Sequence, residues 1–380
     1  MSTHLVENED TCFERDNLFL PKGIKWGKNF DINDNTYPIE ELKDKNIFLE
    51  GVSLYLELAP DDSSSLIKEV EALYTAKGIE FTKTIRQWLQ GKKKPSQSQA
   101  HRHNCYNFCI ALGMNINETF EFMLKHFQIM PFYYKNRTDA IYFYCILHNR
   151  SYDTIMKMRE IAKTFPATND DSAHTEYIGR KISEIDDDEE FLDYLKNYCY
   201  DDEHQFFTAR RLILELLGKC KKLTGIKSNS KLLMDMTGYN NQIGWNSDEV
   251  VVRKGISKGS FPAEFTTSFP DDNVLSRIIN NQIVSDEALR KTLILLCFYH
   301  YYKSRDNAIG EAKISTEIIK ESYEEFCAEC DGHLAECGYA QLYPRNLFDW
   351  HVLCCTNSEY PIEALKSLIK QMYTDKVDEE

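Results

Sequence analysis

The chain of 380 residues contains no apolar run long enough to cross a bilayer. The longest, LILLCFYHYY at 293–302, is about half the length that a membrane-spanning helix needs. The first stretch, MSTHLVENEDTCFERD, is polar and acidic, unlike a secretory signal. We therefore expect a soluble, cytoplasmic protein with no membrane partner.

Common catalytic and phosphate-binding patterns are missing as well. The chain has no H-E-x-x-H, no P-loop, no G-x-S-x-G and no G-x-G-x-x-G behind a strand. His101, His103 and Cys105 lie close together in a basic stretch that we interpret as a loop, but no acidic residue accompanies them. We expect no enzyme activity and no cofactor, although sequence spacing leaves open an active site assembled from distant segments.

The composition predicts a packed, intracellular protein. Hydrophobic residues make up 42% of the chain and aromatic residues 12%, which is ample for a core. The twelve cysteines lie mostly among apolar neighbours, as free thiols do in a reducing cytosol. A formal net charge of -15 disfavours binding to nucleic acid by the body as a whole, so any such binding must be local.

Apolar spacing predicts a mainly α fold. In SLIKEVEALYTAKG we expect a helix with Ser65 as its N-cap and Gly78 as its end, and we expect further helices to end at Gly91 and Gly113. The predicted organisation is two related helical domains separated by an acidic helical segment and an irregular insertion. Its parts are an irregular segment at 1–38, a first helical domain at 39–165, an acidic then basic linker domain at 166–237, a loop or short hairpin at 238–272 and a second helical domain at 273–380.

The two predicted domains share an internal duplication. LKHFQIMPFYYKNRTDAIYFYC at 124–145 aligns with LAECGYAQLYPRNLFDWHVLCC at 334–355 at an offset of 210 residues. The shared N-x-x-D is typical of a helix start, with asparagine as the N-cap and aspartate answering back to the cap. Upstream, each copy has a short helix, a polar turn and an apolar helix that contains Cys109 or Cys297.

CAECDGHLAEC, with Cys327, Cys330, His333 and Cys337, suggests a zinc site by its residue types. On one helix, however, these four residues extend over about 15 Å, too far to surround one ion. The duplication also aligns His333 with Met123, a residue typical of a core. We therefore expect no metal site in this motif.

One stretch lacks carboxylates altogether. From Phe81 to Asn117 there is no aspartate or glutamate, although the chain contains 60 acidic residues. This window includes RQWLQGKKKPSQSQAHRH at 86–103. Carboxylates would repel a nucleic acid, so their absence is what a contact surface for nucleic acid would require.

GIEFTKTIRQWLQGKKKPS resembles the helix-turn-helix of Xre/Cro-type repressors, and the resemblance covers roughly 63–122. It implies a turn at Gly78-Ile79, a recognition helix at 84–88 and a loop at 91–96. The segments around YKNRTDAIYFYCI and LYPRNLFDWHVL resemble uncharacterised proteins of Gram-positive bacteria. The second copy, RIINNQIVSDEALRK, has lost the tryptophan, the glycine and the lysine run.

We therefore predict a nucleic-acid-binding bacterial regulator, with DNA as the favoured ligand and RNA as the other. Six phosphate contacts would give a log-log salt slope of about -5. The alternative is a non-enzymatic helical interaction module in which the helix-turn-helix is only scaffold and an acidic face at 184–203 docks a protein partner. The predicted contact residues are Lys83, Thr84, Arg86, Gln87, Lys92, Lys93, Lys94 and Arg102.

Overall fold

A computed structural model describes residues 46–60, 62–95, 99–166, 175–201, 204–238, 270–310, 314–343 and 346–374. The predicted irregular segment at 1–38 and most of the predicted insertion, 239–269, lie outside these ranges. Within them the chain forms helices and no strand, which confirms the mainly α fold. No helix in these ranges combines the length and the apolar character needed to cross a membrane.

The described residues fall into two compact units. The N-terminal unit comprises Lys45–Thr208 and Glu336–Ala340. The C-terminal unit includes Ala209–Ala335 and Gln341–Glu380. The predicted linker domain at 166–237 is therefore divided. Its acidic helices add Ile178, Ile182 and Phe191 to the core of the N-terminal unit.

The helices of the N-terminal unit lie between residues 47 and 198. They are α1 Ile47–Leu56, α2 Ser63–Ala76, α3 Lys83–Leu89, α4 Gln99–Ala111, α5 Ile116–Phe122, a π-helical turn Met123–Phe127, α6 Arg137–Leu147, α7 Tyr152–Ala162, α8 Thr175–Ser183 and α9 Asp188–Tyr198. The remaining helices are α10 His204–Thr224, α11 Asn229–Thr237, α12 Asp272–Ile279, α13 Asp286–Ile309, α14 Thr316–Glu336, α15 Leu347–Cys355 and α16 Pro361–Thr374.

Side chains at the helix starts explain several of these bounds. Asn136 accepts a hydrogen bond from the Asp139 amide, and Asn346 accepts one from the Phe348 amide, so both predicted caps are confirmed. The predicted Ser65 cap is wrong. Asp62 caps α2 and accepts from the Ser65 amide at 3.0 Å, which places Ser65 inside the first turn.

An aromatic cluster forms the centre of the N-terminal unit. Phe48 of α1 contacts Trp88 of α3, with ring centroids 5.8 Å apart, and stacks on Phe127 at 5.3 Å. Phe108 of α4 and Phe122 of α5 close the cluster at 5.8 Å. Full burial stabilises by roughly 1.5–3 kcal/mol for each Phe-sized side chain. These contacts bring together four helices that are separated in sequence.

A buried ion pair ties α4 to α6. Arg102 Nε donates to both carboxylate oxygens of Asp139, at 2.9 and 2.8 Å, and the guanidinium also reaches the Pro131 carbonyl. The Tyr133 amide donates to the same carboxylate at 2.8 Å. The sequence interpretation had Asp139 answering back to its own cap, whereas its carboxylate instead joins another helix and the preceding loop.

The C-terminal unit repeats this arrangement residue for residue. Arg290 of α13 donates to both oxygens of Asp349, at 2.7 and 2.6 Å, and to the Gln341 carbonyl at 3.0 Å. The Tyr343 amide donates to Asp349 at 2.9 Å. Since Asp349, Tyr343 and Gln341 are the duplicates of Asp139, Tyr133 and Pro131, both units preserve the same internal network.

We predict that Asp139→Asn destabilises the N-terminal unit by about 3–5 kcal/mol, because it leaves the Arg102 guanidinium buried without a counter-charge. Urea unfolding followed by circular dichroism measures the loss. The control, Arg102→Met with Asp139→Leu, removes both charges and should recover most of the stability. A single variant within about 1 kcal/mol of the wild type would contradict this role.

Candidate nucleic-acid interface

The predicted interface is built on α2, α3 and the loop that follows α3. At Gly78 the chain leaves α2, and the Ile79 amide donates back to the Tyr74 carbonyl at 2.9 Å. Thr82 then caps α3, its hydroxyl accepting from the Ile85 amide. The predicted end of α2 and the predicted helix at 84–88 are thus confirmed as secondary structure.

The seven residues of α3 divide between core and surface. Ile85, Trp88 and Leu89 are buried, and they fix the helix against α1 and the π-helical turn. Lys83 is exposed, while Thr84 and Gln87 are half-buried on the remaining surface. Positions 83, 84 and 87 share a face because residues three and four apart are neighbours on a helix.

The lysine loop, Lys92 to Lys94, starts directly from the end of α3. Gly91 has a φ of +66°, and the Gly91 and Lys92 amides donate to the Trp88 and Gln87 carbonyls, each at 3.0 Å. This is the Schellman arrangement, which places a residue with positive φ just past a helix end. All three lysines are exposed. Their backbone is therefore held next to the outer face of α3.

Arg86 is engaged within the protein. Its guanidinium donates to both Glu71 oxygens, at 2.9 and 3.1 Å, and lies 5.1 Å from the centre of the Phe81 ring. The side chains of Arg86 and Glu71 are 43% and 46% exposed, so water screens the pair. A stretch free of carboxylates in sequence is thus not free of them in space, because α2 supplies Glu71.

Arg102 does not belong to the surface patch. It lies on α4 rather than on a loop, it is 5% exposed, and Asp139 accepts its hydrogen bonds. Burial lowers the pKa of its guanidinium, but Asp139, Tyr106 and Cys105 together outweigh that effect, and the net shift is upward. Arg102 is therefore removed from the predicted contact residues.

The neighbouring His103 and Cys105 show no arrangement for nucleophilic catalysis. His103 Nε2 lies 3.1 Å from a guanidinium nitrogen of Arg159. Cys105 is fully buried, and burial raises the pKa of its thiol well above the ordinary value. A protonated, inaccessible thiol is a poor nucleophile. Cys105 lies in the interior of the unit, and His103 is half-buried beside Arg159.

No protein-family model, curated protein or solved structure matches the chain. The Xre/Cro-type resemblance therefore rests on the quoted residues alone.

Two residues that determine this surface were missed. Glu71 lies outside the acid-free window, and nothing in its local sequence connects it with Arg86. Asp139, which removes Arg102 from the surface, did carry a signal. When the apolar helices of the two copies are aligned on Cys109 and Cys297, Arg102 coincides with Arg290, and a paired arginine and aspartate in each copy indicates a contact.

We predict that Gly91→Ala destabilises the N-terminal unit by about 1 kcal/mol, because an L-residue is strained at positive φ. A Cβ there would meet nothing closer than 3.6 Å, so conformational strain rather than a clash sets the loss. Gly218→Ala, within α10 and with open space around it, is the control and should stabilise by roughly 0.5–1 kcal/mol. Equal effects of the two changes in urea unfolding would contradict the assignment of the helix end.

Proposed function

We propose that the chain is a cytoplasmic bacterial regulator that binds DNA through the outer face of α3 and the lysine loop. One observation carries the proposal. The three exposed lysines are held by a helix-end motif beside the same short helix that turns Lys83, Thr84 and Gln87 outward. The resemblance of 63–122 to Xre/Cro-type repressors supports this orientation, since α3 corresponds to their recognition helix.

The chemistry of these side chains suits a groove contact. Glutamine pairs with the edge of adenine through two hydrogen bonds, and threonine contacts base edges or methyl groups. Lys83 and the lysine loop, at opposite ends of α3, would contact phosphates on either side. Arg86 would read a base only after exchanging Glu71 for the nucleic acid, a screened surface pair worth about 0.2–1 kcal/mol.

We predict a log-log salt slope of about -3.6 for binding, from Lys83 and the three loop lysines. This is shallower than the slope expected with six contacts, because Arg102 is buried and Arg86 is paired. Fluorescence polarisation with a labelled mixed-sequence duplex, titrated across salt concentrations, measures it. Reversing the loop charges in Lys92→Glu, Lys93→Glu and Lys94→Glu should flatten the slope by about 2.7 and abolish most binding.

The matched control for the loop variant is Lys222→Glu, Lys227→Glu and Lys231→Glu. These lysines are equally exposed and lie in the C-terminal unit, so the change in net charge is identical. Binding that is lost equally in both variants would reflect net charge alone. Binding that survives the loop variant would remove the proposed interface.

We further predict that Glu71→Gln raises affinity for the same duplex about two- to fivefold, because it releases Arg86 at the cost of a weak surface pair. Glu69→Gln is the control, since Glu69 is exposed on the same helix and changes the net charge equally. An unchanged affinity in Glu71→Gln would show that Arg86 makes no contact with the duplex.

The second candidate is an interaction module that docks a basic partner on the predicted acidic face at 184–203. In that segment Asp187 caps α9, and Asp188 accepts from Tyr144 and Arg150. Glu189, Glu190 and Asp193 are left exposed. An oligolysine peptide should bind the wild type but not Glu189→Gln, Glu190→Gln, Asp193→Asn. Such a result together with absent duplex binding would favour this function.

A further inference from the structure

Two helices of the C-terminal unit bring a thiol, a carboxylate and an imidazole together. Cys297 of α13 and Glu329 and His333 of α14 each place a potential ligand atom within 4.8 Å of the other two. Among the described residues, no other three cysteine, histidine or acidic side chains come this close to one another. Nothing in the proposed DNA interface uses these residues.

Aromatic contacts and a hydrogen bond join the two helices that hold them. Phe298 and Tyr302 of α13 lie 5.6 Å from the Phe326 ring of α14, and the Tyr302 hydroxyl donates to the Ser322 carbonyl. Glu329 and His333 are four residues apart and therefore share one face of α14. The backbone on which the three ligand atoms depend is fixed by these contacts.

The group lies where the core reaches the surface. Cys297 is fully buried, whereas the side chains of His333 and Glu329 are 22% and 36% exposed. His333 Nε2 lies 3.9 Å from Glu329 Oε1, and His300 Nδ1 lies 3.8 Å from the same oxygen. Both distances exceed a hydrogen bond, so none of these nitrogens is joined to the carboxylate by one. The partly exposed side gives an ion a route of entry.

The chemistry of the three side chains suits a divalent cation. Thiolate, imidazole and carboxylate together are a ligand set that zinc accepts, at metal–ligand distances of about 2.0–2.3 Å.

We propose that Cys297, Glu329 and His333 form a binding site for a zinc-class divalent cation that links α13 to α14. A tetrahedral ion with these bond lengths separates its ligand atoms by about 3.5 Å, so the side chains contract by roughly an ångström. Rotation about the terminal torsions of glutamate and histidine, which are broad, supplies that movement. A water molecule takes the fourth position.

This ligand set differs from the one that the cysteine-rich motif suggests. His333 comes from that motif, whereas Cys327 and Cys330, which are buried on α14, do not belong to the group. His333 was expected to be a core residue, but it is partly exposed, and its partner thiol comes from another helix.

The duplication supplies an internal comparison. At the equivalent positions the N-terminal copy has Cys109, Thr119 and Met123, all buried. The cysteine is common to both copies, while the carboxylate and imidazole occur only in the second. Cys109→Ser is accordingly a matched control for Cys297→Ser, because each replaces a buried thiol at the same place in its own copy.

The test uses the full chain, stripped with a chelator and titrated with Co²⁺ and then with Zn²⁺. We expect one equivalent of Co²⁺ with a thiolate-to-cobalt charge-transfer band in the near ultraviolet, displaced by Zn²⁺. Zn²⁺ should also raise the unfolding temperature of the wild type. His333→Ala, Glu329→Gln and Cys297→Ser should each weaken cobalt binding at least tenfold, a loss typical of removing one ligand or its support. Cys109→Ser should bind as the wild type does.

Cys297→Ser could fail to fold because Cys297 is buried. Glu329 and His333 are partly exposed, so their variants should fold and still test the site. Absent binding by the stripped wild type would overturn the proposal. So would one equivalent of Co²⁺ without the thiolate band, or binding that His333→Ala retains, since the ion would then lie elsewhere in the chain. None of these outcomes affects the proposed DNA interface, whose test contains no metal.

Discussion

A buried arginine and a buried aspartate hold each half of this fold together. In each unit the guanidinium comes from near the start of an apolar helix and the carboxylate from the first turn of a later helix. The arginine also donates to a loop carbonyl, and the aspartate accepts from a tyrosine amide. Such a pair adds little net stability compared with apolar residues of the same size, but separating its partners is severely penalised. The pair in the N-terminal unit therefore stabilises the arrangement of α4 and α6 in which the two charged groups meet.

Ion pairs within the N-terminal unit also reduce the number of cations that the basic stretch presents at the surface. Arg102 lies in a basic stretch of sequence, yet the fold needs it inside, and a second cation, Arg86, is matched by Glu71 from the preceding helix. The lysine loop is the part of the basic stretch whose side chains remain exposed. The cationic patch that remains is smaller than the predicted one. It consists of one face of a short helix and one loop with a defined backbone geometry.

Local signals in the sequence predicted local structure well. Glycines at 78, 91 and 113 end helices because each must adopt a positive φ that other residues disfavour, and the asparagines at 136 and 346 cap helices through bonds that span three residues or fewer. The cap of α2 was misplaced because Asp62 and Ser65 are both good caps by residue type, and it is Asp62 that accepts the amide hydrogen bond at the helix start. The lysine loop was placed correctly beside α3 for the same local reason, since the helix end alone positions it.

Contacts between distant residues were harder to predict, and they determine both candidate sites. Arg102 and Asp139 are 37 residues apart, and Arg290 and Asp349 are 59 apart, so no window of helical periodicity contains them. The candidate metal ligands show the same limit, because Cys297 joins Glu329 and His333 only through the packing of α13 on α14. The duplication makes such contacts easier to predict. An arginine and an aspartate that occur at equivalent positions in both copies indicate a buried pair.

Comparison of the copies also separates scaffold from function. The internal network is identical in both, whereas the lysine run occurs in the first copy and the carboxylate and imidazole beside the common cysteine occur in the second. Residues that the network needs cannot change without leaving a buried charge unpaired, so differences between the copies fall on positions that the network does not constrain. Those are the positions at which each copy could gain a ligand of its own, a nucleic acid in one and a metal ion in the other.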